Sequence, residues 1–182
     1  MDPITATQAW FEHAVIGLNL CPFAKAVHVK GQIRWVLSSA HDAEALLADL
    51  LAEMRLLAAA DAQQVDTTLI VHPHALHDFA EFNAFLDIAD AALDELDLGG
   101  VLQVASFHPQ YRFAGTRSSD VSNHSNRSPY PTLHLLREDS VARAVAAFPE
   151  AATIYERNIA TLKKLGRAGW SKLMTEALNG KG

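Results

Sequence analysis

Three short apolar runs, each separated from the next by a stretch of helical periodicity, restrict this chain's fold more than any other feature. The runs are Ile33–Leu37 (Ile-Arg-Trp-Val-Leu), Thr67–Val71 and Val101–Phe107. Strands joined through helices tend to point the same way, which predicts a mainly parallel sheet. A fourth run, Thr132–Leu136, follows the third with no helical stretch between them. It is predicted to run antiparallel, beside the third. The expectation is a single α/β domain over residues 1–182, with about four strands flanked by helices in two or three layers.

The helical stretches carry their own punctuation. Thr5 and Gln8 are spaced like a capping box at the head of a helix to about Leu20, with Trp10, Ala14, Gly17, Leu18 and Cys21 on one face. Ser39 with Asp42 precedes a stripe of Leu46, Leu47, Leu50, Leu51 and Met54. Asp78 with Glu81 precedes Phe82, Leu86, Ala89, Leu93 and Leu96, and Gly99-Gly100 closes that helix. Helices over Ser140–Phe148 and Pro149–Leu165 follow, the second ended by Gly166, with a short tail at Trp170–Leu178.

Composition removes several classes of function. A formal net charge of −6 argues against nucleic-acid binding, which needs an excess of Lys and Arg. The single cysteine, Cys21, allows no intrachain disulfide and fits a reducing cytosol. No signal-peptide pattern opens the chain, and no apolar run approaches the roughly 20 residues that span a bilayer. A cytoplasmic protein with no membrane partner is expected. Gly-x-Gly-x-x-Gly, the phosphate-loop Gly-Lys-Ser/Thr, Cys-x-x-Cys and Gly-x-Ser-x-Gly are all absent. Nucleotide-cofactor and serine-hydrolase readings lose their footing, and no cofactor is assigned.

The functional signal lies in the connection from Ser106 to Tyr130. Structureless loops beyond about 12–15 residues are uncommon in compact domains and usually functional. This one holds Arg112, Arg117, Asn126 and Arg127 against a single carboxylate, Asp120, with Asn123 and His124 among them and aromatic anchors at either end. Guanidinium forks match carboxylate and phosphate oxygens, and asparagine amides orient them. A small anion suits this local charge better than a polyanion. The competing reading is a loop held together by its own Arg–Asp and Asn–backbone bonds.

Two strands end in the same dipeptide, His72-Pro73 and His108-Pro109. Ligands of open parallel sheets bind beyond the carboxyl ends of the strands, so both imidazoles are predicted at the rim where the loop begins. Either histidine could serve there as acid or base. A metal alternative uses His72, His74 and His77 with His108, although this spacing matches no standard ligand set. Cys21-Pro22 admits two readings. It could stand at a helix start that favours thiolate, as a candidate nucleophile, or continue the buried stripe of the first helix.

Three blocks of sequence resemble a known family. They are Val15-Ile16-Gly17-Leu18-Asn19-Leu20-Cys21-Pro22-Phe23-Ala24, then Ser106 to Thr116 (SFHPQYRFAGT), then Asn126 to Glu138 (NRSPYPTLHLLRE). Together they are similar to the bacterial and plant domain-of-unknown-function family numbered fourteen-fifteen, over nearly the whole chain. Ser118-Ser119-Asp120 and His124 are less typical of its pattern. The resemblance implies no activity.

The functional expectation therefore rests on the residues. It is an enzyme acting on a small phosphate- or carboxylate-bearing metabolite. Arg112, Arg117, Asn126, Arg127 and Tyr130 would bind it, His108 would act as acid–base residue with His72 nearby, and Asp120 would orient a side chain. A non-catalytic ligand-binding module and a metalloprotein are the alternatives.

Overall fold

The two helices that cover one face of the sheet, Ala43–Ala59 and Phe79–Glu95, each begin where an aspartate accepts from the first free N–H groups. Asp42 Oδ1 accepts from Ala45 N at 2.8 Å, and Asp78 Oδ1 from Ala80 N at 2.8 Å and Glu81 N at 3.1 Å. The computed structural model describes residues 1–147 and 153–180. In chain order it contains α1 (Pro3–Trp10), a π-helical segment (Phe11–Ile16), α2 (Pro22–Val29), β1 (Ile33–Leu37), α3 (Ala43–Ala59) and β2 (Thr67–Val71). Then come α4 (Phe79–Glu95), β3 (Leu102–Phe107), a 3-10 helix (Val121–Asn126), β4 (Thr132–Arg137), α5 (Glu138–Ala147) and α6 (Ile154–Leu178).

The four strands form one sheet in the order β1-β2-β4-β3. β1 and β2 pair in parallel, and β4 is antiparallel to both β2 and β3. The first three strands do share a direction and β4 does run against them. The mainly parallel sheet, however, is corrected to a mixed one, because β4 inserts between β2 and β3 and leaves β1–β2 as the parallel pair. Burial explains the insertion. Thr132 to Leu136 are all buried, as is every residue of β2, so both strands need neighbours on each side. β3 carries Gln103 and Ser106 and remains half-exposed at an edge.

Side chains alternate across the strands. Ile70, Leu102, Leu133 and Leu135 pack on α3 and α4 through Leu46, Leu50, Met54, Phe82 and Phe85. On the other face Ile33, Trp35 and Phe107 meet Trp10, Phe11, Ala14 and Trp170. The result is three layers. Among the described residues no helix is long and apolar enough to cross a membrane.

Several boundaries differ from expectation. Asp2, not Thr5, caps the first helix, accepting from Thr5 N at 3.1 Å, and Pro3 supplies the first turn. That helix does not run unbroken to Leu20, since it widens into the π segment. Asp97, at φ 54°, takes the left-handed position after α4, earlier than Gly99-Gly100. Gly166 does interrupt the last helix, with φ 67° and ψ 177°, but the chain resumes as helix through Leu178. Phe148 and Pro149 lie outside the described residues.

Candidate functional site

The register puts the carboxyl ends of β1, β2 and β3 on one rim, together with the start of β4. His72 and His108 leave that rim toward α4. Both are buried, and both rings pack on Phe82, at centroid distances of 5.7 and 5.0 Å. Phe79 covers His108 at 5.4 Å. Two strand-end histidines thus share one aromatic platform at the start of α4.

Their protons follow from their partners. His108 Nδ1 accepts from Gln110 N at 3.0 Å, so its proton is on Nε2, which donates to Leu76 O at 3.2 Å. His72 Nδ1 donates to Ala75 O at 3.1 Å, leaving Nε2 as a buried lone pair with no hydrogen-bond partner. Burial pushes His72 down to about 4 and holds His108 below its ordinary value. Both rings are neutral at pH 7. Of their four nitrogens, only His72 Nε2 is unspent.

The loop above them is ordered by its own bonds. Arg127 Nε donates to Tyr111 O at 3.0 Å and Nη2 to Ser118 O at 2.7 Å. Arg167 of α6 donates to Ser119 O, and His124 meets Trp170 edge-on at 4.9 Å. Burial first, and then the nearby Arg167, lower the Arg127 pKa. Buried Asn123 ties Phe113, Thr116 and Arg117 together. Asn126 Nδ2 donates to Ser106 O at 3.2 Å. The loop is pinned by asparagine and arginine bonds to backbone rather than by Arg–Asp pairs.

A cleft of about 400 Å³ opens between this loop and the start of α4. Arg112 and Arg127 line it with Phe79, Ala80, Gln110 and Ser118, and no carboxylate does. Arg112 is exposed and makes no side-chain hydrogen bond or ion pair with any described residue.

None of His72, His108 and Asn126 lines this cleft, and the other candidates lie elsewhere. Arg117 is exposed and outside the cleft lining, and Tyr130 acts through its carbonyl, which accepts from Ser128 and Thr132. Asp120 caps the 3-10 helix by accepting from Ser122 N at 3.0 Å, and this bond lowers its pKa. It orients neither His108 nor an arginine. Cys21 is on the opposite face of the sheet from the histidines, capping α2 without a side-chain bond, and burial raises its thiol pKa. Native Cys21 is therefore expected to react with iodoacetamide at pH 7.5 at least ~10-fold more slowly than in the unfolded chain. Equal rates in the two states would restore the nucleophile reading.

His74 stacks on His41 at 5.0 Å, away from His72. Among the described residues no three His, Cys, Asp or Glu side chains gather as a metal would require. A larger cleft, about 550 Å³, lies at the far end of the sheet. Its polar groups answer one another: Ser140 Oγ donates to Asp66 at 2.6 Å and accepts from Arg143 at 2.8 Å. Size alone does not make it the site.

Sequence reasoning missed the platform of Phe79 and Phe82 and the part of Arg167. Phe82 reads as ordinary helix core, Phe79 carries no signal of its own, and nothing local links Arg167 to Ser119, 48 residues earlier.

A family model described as protein of unknown function (DUF1415) matches residues 2–172. The chain belongs to this family. The matched span includes the loop, the strand ends and both histidines, so the rim and its cleft fall within the family's domain. No curated protein and no solved structure matches the chain.

Proposed function

We propose that this protein binds a small phosphate- or carboxylate-bearing metabolite in the rim cleft and acts on it there. One observation carries the reading: Arg112 and Arg127 face a single cleft with no carboxylate in its lining. A bound anion would relieve the repulsion between Arg127 and Arg167 and give the unpaired Arg112 a partner. The start of α4 adds its dipole, with Ala80 N and Glu81 N already taken by Asp78. Chemistry on the ligand would need His108 to release Leu76 or Gln110, or His72 Nε2 to become accessible. That engagement favours a second reading, a module that captures the anion without turning it over.

Phosphate, sulfate and succinate test the binding step. At saturating concentration at least one should raise Tm by about 2–4 °C. Arg112→Gln should weaken binding of that anion by roughly 10–100-fold, the range of a lost charged hydrogen bond. Arg117→Gln, outside the cleft, should leave it unchanged. Indifference to all three anions would remove both readings. Turnover of the bound metabolite, abolished by His108→Gln, would choose the enzyme over the module.

A further inference from the structure

A further cavity, on the other side of the sheet from the histidines, answers to different chemistry. It encloses about 130 Å³ between the π-helical segment, α2 and the strands. Interiors rarely keep voids much larger than a water molecule, because every unfilled contact is lost attraction. Here the space is left open by short side chains, with Ala24 of α2 above and Ala105 of β3 below.

The roof has an unusual backbone. Phe11 and Val15, which close the cavity, both belong to the π-helical segment. Its wide turn is completed by Gly17 N donating to Glu12 O at 3.0 Å. A Cβ at Gly17 would stand 2.2 Å from His13 O, so glycine is required there. π turns are rare, and they occur frequently at functional sites. This backbone feature lies directly over the cavity.

The lining carries no charge. Thr67 Oγ1 donates to Leu135 O at 2.6 Å and therefore accepts from His134 Nε2, also at 2.6 Å. Burial keeps His134 neutral, down to about 3, and keeps the Cys21 thiol protonated. Water would find few partners among these groups, and an ion would find none. Dry apolar cavities of about 150 Å³ admit benzene or xenon.

From this geometry we infer that the space beneath the π-helical segment is a binding site for a neutral apolar molecule, of about benzene size. It is separate from the rim cleft, which lies on the other face and takes anions.

Benzene and xenon are the probes, with benzylammonium as a charged control of similar shape. Near saturation, benzene should raise the Tm of the whole chain by about 2–4 °C, and benzylammonium should not. Xenon should shift methyl resonances of Val15 and Ala105. Ala105→Leu should fill the space and abolish both responses, while the phosphate response governed by Arg112 persists. Ala24→Val supplies a smaller filling should the leucine variant fail to fold, and should weaken benzene binding at least ~5-fold. A wild-type chain indifferent to benzene and xenon, or responses that survive both fillings, would overturn the proposal and leave a packing void.

Discussion

Between pH 7 and pH 5 the folded state should lose roughly 4 kcal/mol of stability, and two histidines should account for most of it. His134 and His72 are held neutral by burial, with pKa values pushed down to about 3 and about 4. In the unfolded chain both titrate near 6.5. As pH falls below that value the unfolded state takes up protons that the folded state refuses, so the balance shifts toward unfolding. The contribution is intact above pH 6.5 and is lost progressively down to the folded values. Each histidine is worth roughly 2 kcal/mol at pH 5 on this basis. His108 and His124 are shifted the same way by burial and add to the effect. Carboxylates titrate lower, so this window isolates the imidazoles. Urea unfolding at pH 7, 6 and 5 measures the slope. His134→Gln keeps a donor for Thr67, and His72→Asn keeps one for Ala75. Each should remove about half of the pH dependence. A stability flat across that range would mean that both rings protonate within the fold.

How much of this was legible in the sequence depends on how local each cause is. Strand positions and the Asp78 cap are local, because a short apolar run or a single carboxylate fixes them. The second helix starts three residues later than Ser39 suggests, with Asp42 itself as the cap. Strand order is not local. The missing helix before Thr132–Leu136 does predict its antiparallel direction. Its place between β2 and β3 follows instead from which strands must be covered on both faces. The same division applies at the rim. The repeated His-Pro dipeptides mark two strand ends, and the structure brings both rings onto Phe82. The loop's composition marks arginines, yet only the fold separates Arg112 and Arg127, which line the cleft, from exposed Arg117. Cys21 and Asp120 show the limit of reading residue type alone. A thiol and a carboxylate are reactive in principle, but one lies across the sheet with its pKa raised by burial and the other caps a short helix.

Asn123 should prove the most damaging position in the loop. Its side chain is fully buried. Oδ1 accepts from Phe113 N at 3.0 Å and from Thr116 Oγ1 at 2.9 Å, while Nδ2 donates to Arg117 O at 2.9 Å. One amide therefore closes the turn from Phe113 to Arg117 against the 3-10 helix. Asn123→Ala would leave Phe113 N unsatisfied, at about 1–3 kcal/mol where water cannot replace the partner. It would also lose two further bonds at about 0.5–1.5 kcal/mol each, although Arg117 O keeps Asp120 N at 2.9 Å and Thr116 Oγ1 keeps Phe113 O at 2.8 Å. A total of roughly 3 kcal/mol corresponds to a fall in Tm of about 6–12 °C for a chain of this size. Asn123→Asp keeps both accepted bonds but loses the donated one and sets a buried charge facing the Arg117 carbonyl, so it should offer no rescue. Arg117→Ala removes only an exposed side chain and should stay within about 0.5 kcal/mol. The cleft should register the same change, because Arg112 is carried on the segment that Asn123 fastens to the 3-10 helix. Asn123→Ala should thus lower phosphate affinity along with stability, although Asn123 is not in the cleft lining. A loss of less than 2 °C in Tm would show that the turn is held by something other than this amide. Intact anion binding in a strongly destabilised variant would show instead that the arginines keep their places without it.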